Sequence, residues 1–251
     1  MKSRLTPALL ALLLLLSAAA ASALTITELD ADVSALFIAS NPQGGLVDPP
    51  LAIAPLVGVT VPMKLSGPFF FEPGIELLGT YYDWTGANAQ LTQAENGVGF
   101  FTIGALVTVQ AGVMFPVSDV VSLGGTIGLD LLLRFPAELQ NTSTTVKDAQ
   151  SSALGWFYGA ARFIYPETRL FLRWHISEPV DLLVNVRAFY PVFHFWDGSG
   201  QPFWDALMIS AGVGFAVRLG RSPAAAAPAA PPATAPAEPA PAEPAPAEPV
   251  P

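Results

Sequence analysis

Between Val98 and Phe135 apolar side chains recur at every second position. Phe101, Ile103, Ala105, Val107, Val109, Ala111, Val113 and Phe115 alternate with a set that includes Thr102, Gly104, Thr108, Gln110 and Gly112. After Pro116-Val117-Ser118-Asp119 the period resumes. Val121, Leu123, Gly125, Ile127, Leu129, Leu131, Leu133 and Phe135 then share one face, and Ser122, Thr126, Asp130 and Arg134 the other. A period of two is the period of a strand, and two such runs joined by a short polar turn predict a hairpin. Each run is about 17 residues long, against roughly 5 or 6 for a globular strand and about 9–11 for a tilted membrane-crossing one. Charge on one face and hydrocarbon on the other fits a sheet with lipid outside and a polar lumen inside.

The same alternation predicts six more strands. Residues 29–39 turn Ala31, Val33, Ala35 and Phe37 outward and Asp30, Asp32 and Ser34 inward. Residues 51–64 put Ile53, Val57 and Val59 outside, Thr60 and Lys64 inside; residues 69–82 put Phe69, Ile75, Leu77 and Tyr81 outside, Glu72, Glu76 and Thr80 inside. In 169–177, Leu170, Leu172 and Trp174 face out while Arg169, Arg173 and His175 face in. Residues 180–193 direct Asp181, Asn185 and Arg187 inward, and 207–219 direct Ser210 and Arg218 inward. The connections alternate, tight at 65–68, 116–119 and 178–179, long at 41–50, 83–97, 136–168 and 194–206. The predicted fold is all-β: an eight-stranded antiparallel up-and-down transmembrane barrel over residues 24–221. Short turns belong to the periplasmic side and long loops to the outside, which places both termini in the periplasm. The longest connection leaves three readings open. It prolongs the sixth strand with a bulge at Pro166, forms a short amphipathic helix, or adds strands to make a ten-stranded barrel.

Composition accords with that fold. Hydrophobic residues make up 52% of the chain and charged ones 12%, yet after the N-terminal segment no apolar run reaches the roughly 18 residues of a helical span. Residues 1–23 read as a secretory signal: Lys2 and Arg4, then Leu9 to Leu16, then Ala21-Ser22-Ala23. Without Lys2 and Arg4, nine basic residues face 20 acidic ones, a net charge of −11 that argues against nucleic acid as a partner. Cysteine is absent, so neither a disulfide framework nor a lipid-modified cysteine is available. Residues 222–251 are Ala, Pro and Glu, too poor in apolar bulk to pack, and are expected to form an extended periplasmic tail.

The candidate chemistry is charge inside the barrel. Lys64, Arg134, Arg169, Arg173, Arg187 and Arg218 fall on lumen positions, and so do Asp30, Asp32, Glu72, Glu76, Asp130 and Asp181. That balance suits a narrow lumen, where an unpaired charge is costly. Counting residues along each strand puts Glu76, Asp130, Arg169 and Arg187 in one layer, predicted to close the pore. Tyr81, Trp84, Phe101, Phe135, Tyr190, Trp196 and Trp204 lie near the outer strand ends and are expected to form an aromatic girdle. No catalytic constellation is expected: Ser199 lies in a Gly-Ser-Gly turn, His175 and His194 fall on opposite faces, and His175 is placed to meet Asp181 across the 178–179 turn. No cofactor or metal is expected.

The eight-strand pattern, the long loops and the signal resemble small outer-membrane barrels of the OmpW, OmpX and OmpA transmembrane type, over about residues 24–221. The Ala/Pro tail resembles the hinge that follows the OmpA barrel. The resemblance implies outer-membrane lipid and the barrel-assembly machinery as partners. The last strand, ending Phe215-Ala216-Val217-Arg218-Leu219, would carry the assembly signal internally. The aromatic outer mouth motivates passive entry of small solutes, hydrophobic ones among them, and the resemblance implies that they leave sideways above a plugged lumen. The alternatives are a non-conducting structural or surface-binding (adhesin-like) barrel and a soluble, lipocalin-like barrel with hydrocarbon inside.

Overall fold

The computed structural model describes residues 25–26, 28–41, 52–91, 97–137 and 143–219. The signal at 1–23 and the tail at 222–251 lie outside the described residues, as do most of the 41–50 loop and parts of the other long connections. Eight long strands form: β1 Glu28–Ile38, β2 Ala52–Thr60, β3 Phe69–Trp84, β4 Val98–Pro116, β5 Val121–Pro136, β6 Ile164–Ser177, β7 Val180–Phe189 and β8 Met208–Arg218. Each pairs antiparallel with its sequence neighbour, and β8 pairs back onto β1 from Met208↔Ile38 to Arg218↔Glu28. The sheet is thereby closed and no edge is left, as a β-structure in lipid requires.

The facing follows the period. Val33, Ile53, Leu77, Ile103, Ile127, Leu170, Val186 and Val213 are all exposed, one from each strand. A water-soluble monomer rarely shows apolar patches beyond a few hundred Å², so a continuous apolar wall fits lipid and not the soluble, hydrocarbon-inside alternative. Aromatics mark both rims: Phe69, Phe115 and Trp174 at the turn end, Tyr81, Phe101, Phe135, Trp196 and Trp204 at the loop end, all exposed. From Phe69 to Tyr81 the strand rises roughly 40 Å, or about 30 Å after a tilt near 40°, close to a hydrocarbon core.

The 136–168 connection combines two of the three readings. Helix α1, Thr144–Tyr158, is capped by Ser143, whose hydroxyl accepts from the Val146 amide. It buries Ala149, Gln150, Ala153 and Phe157, one face at helical spacing. The Tyr158 hydroxyl both accepts from the Arg134 amide and donates to the Arg134 carbonyl, at 3.0 Å each, which ties the helix end to β5. Strand β6 then begins at Ile164, five residues ahead of the expected start, and runs through Pro166 in unbroken register with β5, without the expected bulge. No described segment adds a ninth barrel strand, and no helix is long and apolar enough to cross a membrane. Strand β7 stops at Phe189, short of the expected 193, and Val192–Phe195 forms a 3-10 turn beyond Pro191.

Candidate functional site

The barrel interior is layered. At its loop-end side every strand contributes at least one lumen-facing apolar side chain to a single cluster: Leu36 and Ile38, Leu56 and Ala54, Leu78, Leu106, Leu132, Tyr165, Phe189 and Met208. These share the inward face with the charges, so the lumen is not uniformly polar as expected. Below this collar come Arg187 and Arg169 with their carboxylates, then Phe70, Phe171 and Leu183, and on the turn side of these Arg173 with Glu28, and Asp181. Glycines make room. A Cβ on Gly112 would lie 2.5 Å from Phe70 Cζ, and one on Gly58 would collide with Glu76 Cγ. The bare backbone of β2 at Gly58 lets Glu76 lie across it toward the barrel axis.

Lumen positions carry eight buried acids, Glu28, Asp30, Asp32, Glu72, Glu76, Asp130, Glu167 and Asp181 (a ninth, Asp83, is buried off those positions at the loop end of β3), against four buried arginines, Arg134, Arg169, Arg173 and Arg187. This corrects the expected six-to-six balance. Arg218 is half exposed. Lys64 is exposed at the turn-end rim, beside a cavity of about 20 Å³ that Glu28 and Arg173 also line. Glu28 and Glu167 were missed. Glu28 precedes the expected first strand by one residue, and Glu167 lay in a segment read as loop; extending the period two residues back from Arg169 would have found it.

Arg187 is the hub. It pairs with Glu76, with Asp32 at 3.3 Å, and with Glu167 at 3.8 Å. Arg169 donates to Glu72 at 2.6 Å, and Arg173 pairs with Glu28 and with Asp30, the latter at 2.5 Å. Neutral donors serve the surplus carboxylates. Asn185 and Ser34 donate to Asp32 at 3.1 and 3.0 Å, Thr60 to Glu72 at 2.5 Å, and Gln110 to Glu167 at 2.5 Å. At the turn end Asp181 accepts from Arg218 at 2.9 Å and lies 2.8 Å from His175 Nδ1.

The expected quartet divides. Arg169 and Arg187 are opposite each other in register, and their guanidiniums part, Arg187 toward Glu76 and Arg169 toward Glu72 and the Phe171 ring. Asp130 joins neither: its two oxygens meet no donor, and it lies beside Glu167. Counting residues up each strand ignores the stagger that barrel closure imposes, so a shared height did not mean a shared partner.

Above the collar lies a cavity of about 280 Å³. Tyr82, Tyr165, Trp156 and Phe193 wall it, Arg134 stands at its base, and exposed Ala87 and Ser199 mark its rim. Arg134 has no carboxylate partner among the described residues. Its Nε donates to the Tyr82 hydroxyl at 3.1 Å and one terminal nitrogen to the Tyr165 hydroxyl at 3.3 Å, with the Phe157 ring 4.8 Å away. Tyr82 and Phe100 are buried and stacked beneath α1. Trp84 packs against the same cluster and so departs from the expected girdle. Tyr190 is half-buried, its hydroxyl 3.0 Å from Thr168 Oγ1.

The wall of the mouth carries Ser199, His194, Asp197 and Asp205. Ser199 Oγ donates to Asp197 at 2.7 Å and stands 3.5 Å from His194 Nδ1, a turn arrangement in which the hydroxyl proton is directed away from the imidazole. Burial opposes ionisation of Asp197, but the Ser199 amide and hydroxyl, with Arg162 at 3.3 Å and His194, hold its carboxyl below the ordinary value. Asp205 is raised by burial, with the Asn41 amide opposing from 2.7 Å. Among the described residues no group of acids and histidines is arranged to hold a metal.

No family model matches the chain, and no curated protein does either. Among solved structures, it is similar to the Neisserial surface protein A (TM-score 0.46, 12% identity, covering 78% of this chain and 99% of that one). It is also similar to Ail, the attachment invasion locus protein of Yersinia pestis, in complex with the heparin analogue sucrose octasulfate (0.40, 10%, 78% and 100%). A de novo designed transmembrane β-barrel is comparable (0.39, 11%, 78% and 98%). Eight closed antiparallel strands, an apolar exterior and charges held inside make this chain a small β-barrel of the outer-membrane type.

Proposed function

We propose that the chain resides in the bacterial outer membrane, long connections outward and termini periplasmic, and admits small solutes with apolar bodies at its outer mouth. The observation that carries this reading is the 280 Å³ aromatic-walled cavity resting on an apolar collar. Its size falls just under the usual range for small-molecule pockets, about 300–1,000 Å³. The alternation of short turns with long connections supports the orientation. Beneath the cavity Leu36, Leu106, Glu76 and Asp130 have no exposed surface, so a solute reaching the collar would leave through the wall. The test is uptake of benzyl alcohol into lipopolysaccharide-containing vesicles. Rates above those of protein-free vesicles are expected, and equal rates would end the proposal.

The filled lumen favours a second reading, a non-conducting barrel that acts through its outer loops. Planar-bilayer recordings bear on the shared element. Both readings expect no steady ion current, and a stable open conductance would contradict the plug in each. Loss of partner binding on deleting the 190–207 connection, with folding intact, would favour the second.

A further inference from the structure

Among the described residues, three of the four buried arginines lie against carboxylates and Arg134 does not. The residue is 7% exposed; among the described residues its neighbours are two phenol hydroxyls and two aromatic rings, and one buried terminal nitrogen has no hydrogen-bond partner. A buried cation without a counter-charge is costly. Lumen positions hold twice as many buried acids as arginines, so the missing partner is not explained by scarcity. Those eight acids lie below the collar; Arg134 lies above it at the base of the vestibule, whose own carboxylates, Asp197 and Asp205, are bonded elsewhere.

We propose that Arg134 is the anion receptor of the vestibule, and that its ligand is a small monocarboxylate with an apolar body. The free edge of the guanidinium fits a carboxylate, since two parallel N–H···O bonds can form there. The Tyr82 and Tyr165 hydroxyls, each accepting one N–H, fix the plane of the guanidinium and leave Nη1, itself buried, without a partner. Tyr165, Trp156 and Phe193 offer the ring faces on which a benzene ring or short alkyl chain would lie. The other charges lining the cavity are already engaged: Arg162 with Asp197 at 3.3 Å, and Asp205 with the Asn41 amide at 2.7 Å and the nearby His194. The carboxylate would be held at the collar, because the acids beneath repel it.

This proposal rests on the reading of the vestibule as a solute chamber and adds the ligand's charge. The experiment is calorimetric titration of the refolded full chain in nanodiscs with benzoate, with benzyl alcohol as neutral isostere and inorganic phosphate as a bare anion. Benzoate is expected to bind at least tenfold more tightly than benzyl alcohol, and phosphate more weakly than benzoate. Arg134→Gln should cost benzoate at least tenfold and erase its advantage over the alcohol, while Arg134→Lys keeps part of it. Should Arg134→Gln not fold, Arg134→Lys decides alone: an affinity for benzoate equal to that of the wild type would overturn the proposal. Equal binding of benzoate and benzyl alcohol would overturn it and leave the solute-entry reading standing. Absence of benzoate binding, or phosphate binding as tightly as benzoate, would overturn it too.

Discussion

Arg187 and Arg134 are both buried in one small barrel, yet their surroundings are opposite. Arg187 lies below the apolar collar among Glu76, Asp32 and Glu167. Arg134 lies above it among Tyr82, Tyr165 and Phe157. The collar separates a lumen in which every buried arginine meets a carboxylate from a chamber whose cation meets none among the described residues. Matched charges in a dry lumen hold strands together across the barrel, and an unmatched charge beside a cavity is available to something that enters. The two halves of the lumen thus divide stability from binding.

The sharpest way to break that division is Arg187→Leu. It would leave three buried carboxylates without their cation and should destabilise the barrel by about 3–5 kcal/mol. Urea unfolding in lipid vesicles measures it, and a loss under about 1 kcal/mol would mean that water already reaches this layer. Glu76→Ala tests the same layer from the other side. Asp32 and Glu167 remain beside Arg187, so the loss should be smaller than for Arg187→Leu, with no steady current; unchanged stability together with unchanged conductance would remove Glu76 from the network.

Next in size is the collar itself. Leu106→Ala deletes a side chain with no exposed surface and should cost about 2–4 kcal/mol through the cavity it leaves. Thermal unfolding in nanodiscs reads the loss, and a cost near zero would mean that the neighbouring leucines collapse into the space. Arg134→Gln sharpens the contrast from the other end. No carboxylate is left stranded, so its stability should stay within about 1 kcal/mol of the wild type. A loss as large as that of Arg187→Leu would erase the distinction between the two arginines.

The smallest effect concerns pH at the mouth. The Asp197 carboxyl is held below its ordinary value, so its contribution is present above the unfolded carboxylate value of about 4 and is lost as pH falls through the lower folded value. Hydrogen exchange of the amides of residues 198–201 should therefore gain protection between those two values as pH rises. Asp197→Asn should flatten that dependence, and an unchanged profile would assign the protection to the backbone turn alone.

Strand number, closure and facing were legible in the sequence because side chains alternate with a period of two, and a slip of one residue would turn every apolar side chain of a strand to the wrong face. The turn spacing fixed the order in which strands pair, and the long hairpin from Val98 to Phe135 runs close to where its alternation put it. The partners of the charges were not legible. Arg187 and Glu76 are 111 residues apart, and Arg173 and Glu28 are 145 apart. Which of them meet depends on the stagger of eight strands around a closed sheet, a property of the whole barrel and of no single strand. The collar was hidden for a related reason: inward positions hold leucines and acids alike, and only closure shows that at least one apolar side chain from each strand reaches the same cluster. The sequence by itself determined that this chain is a barrel with lipid outside. The tertiary structure alone decided which charges are satisfied inside it, and that Arg134 is not, because electrostatic pairing depends on distances that only the closed sheet sets.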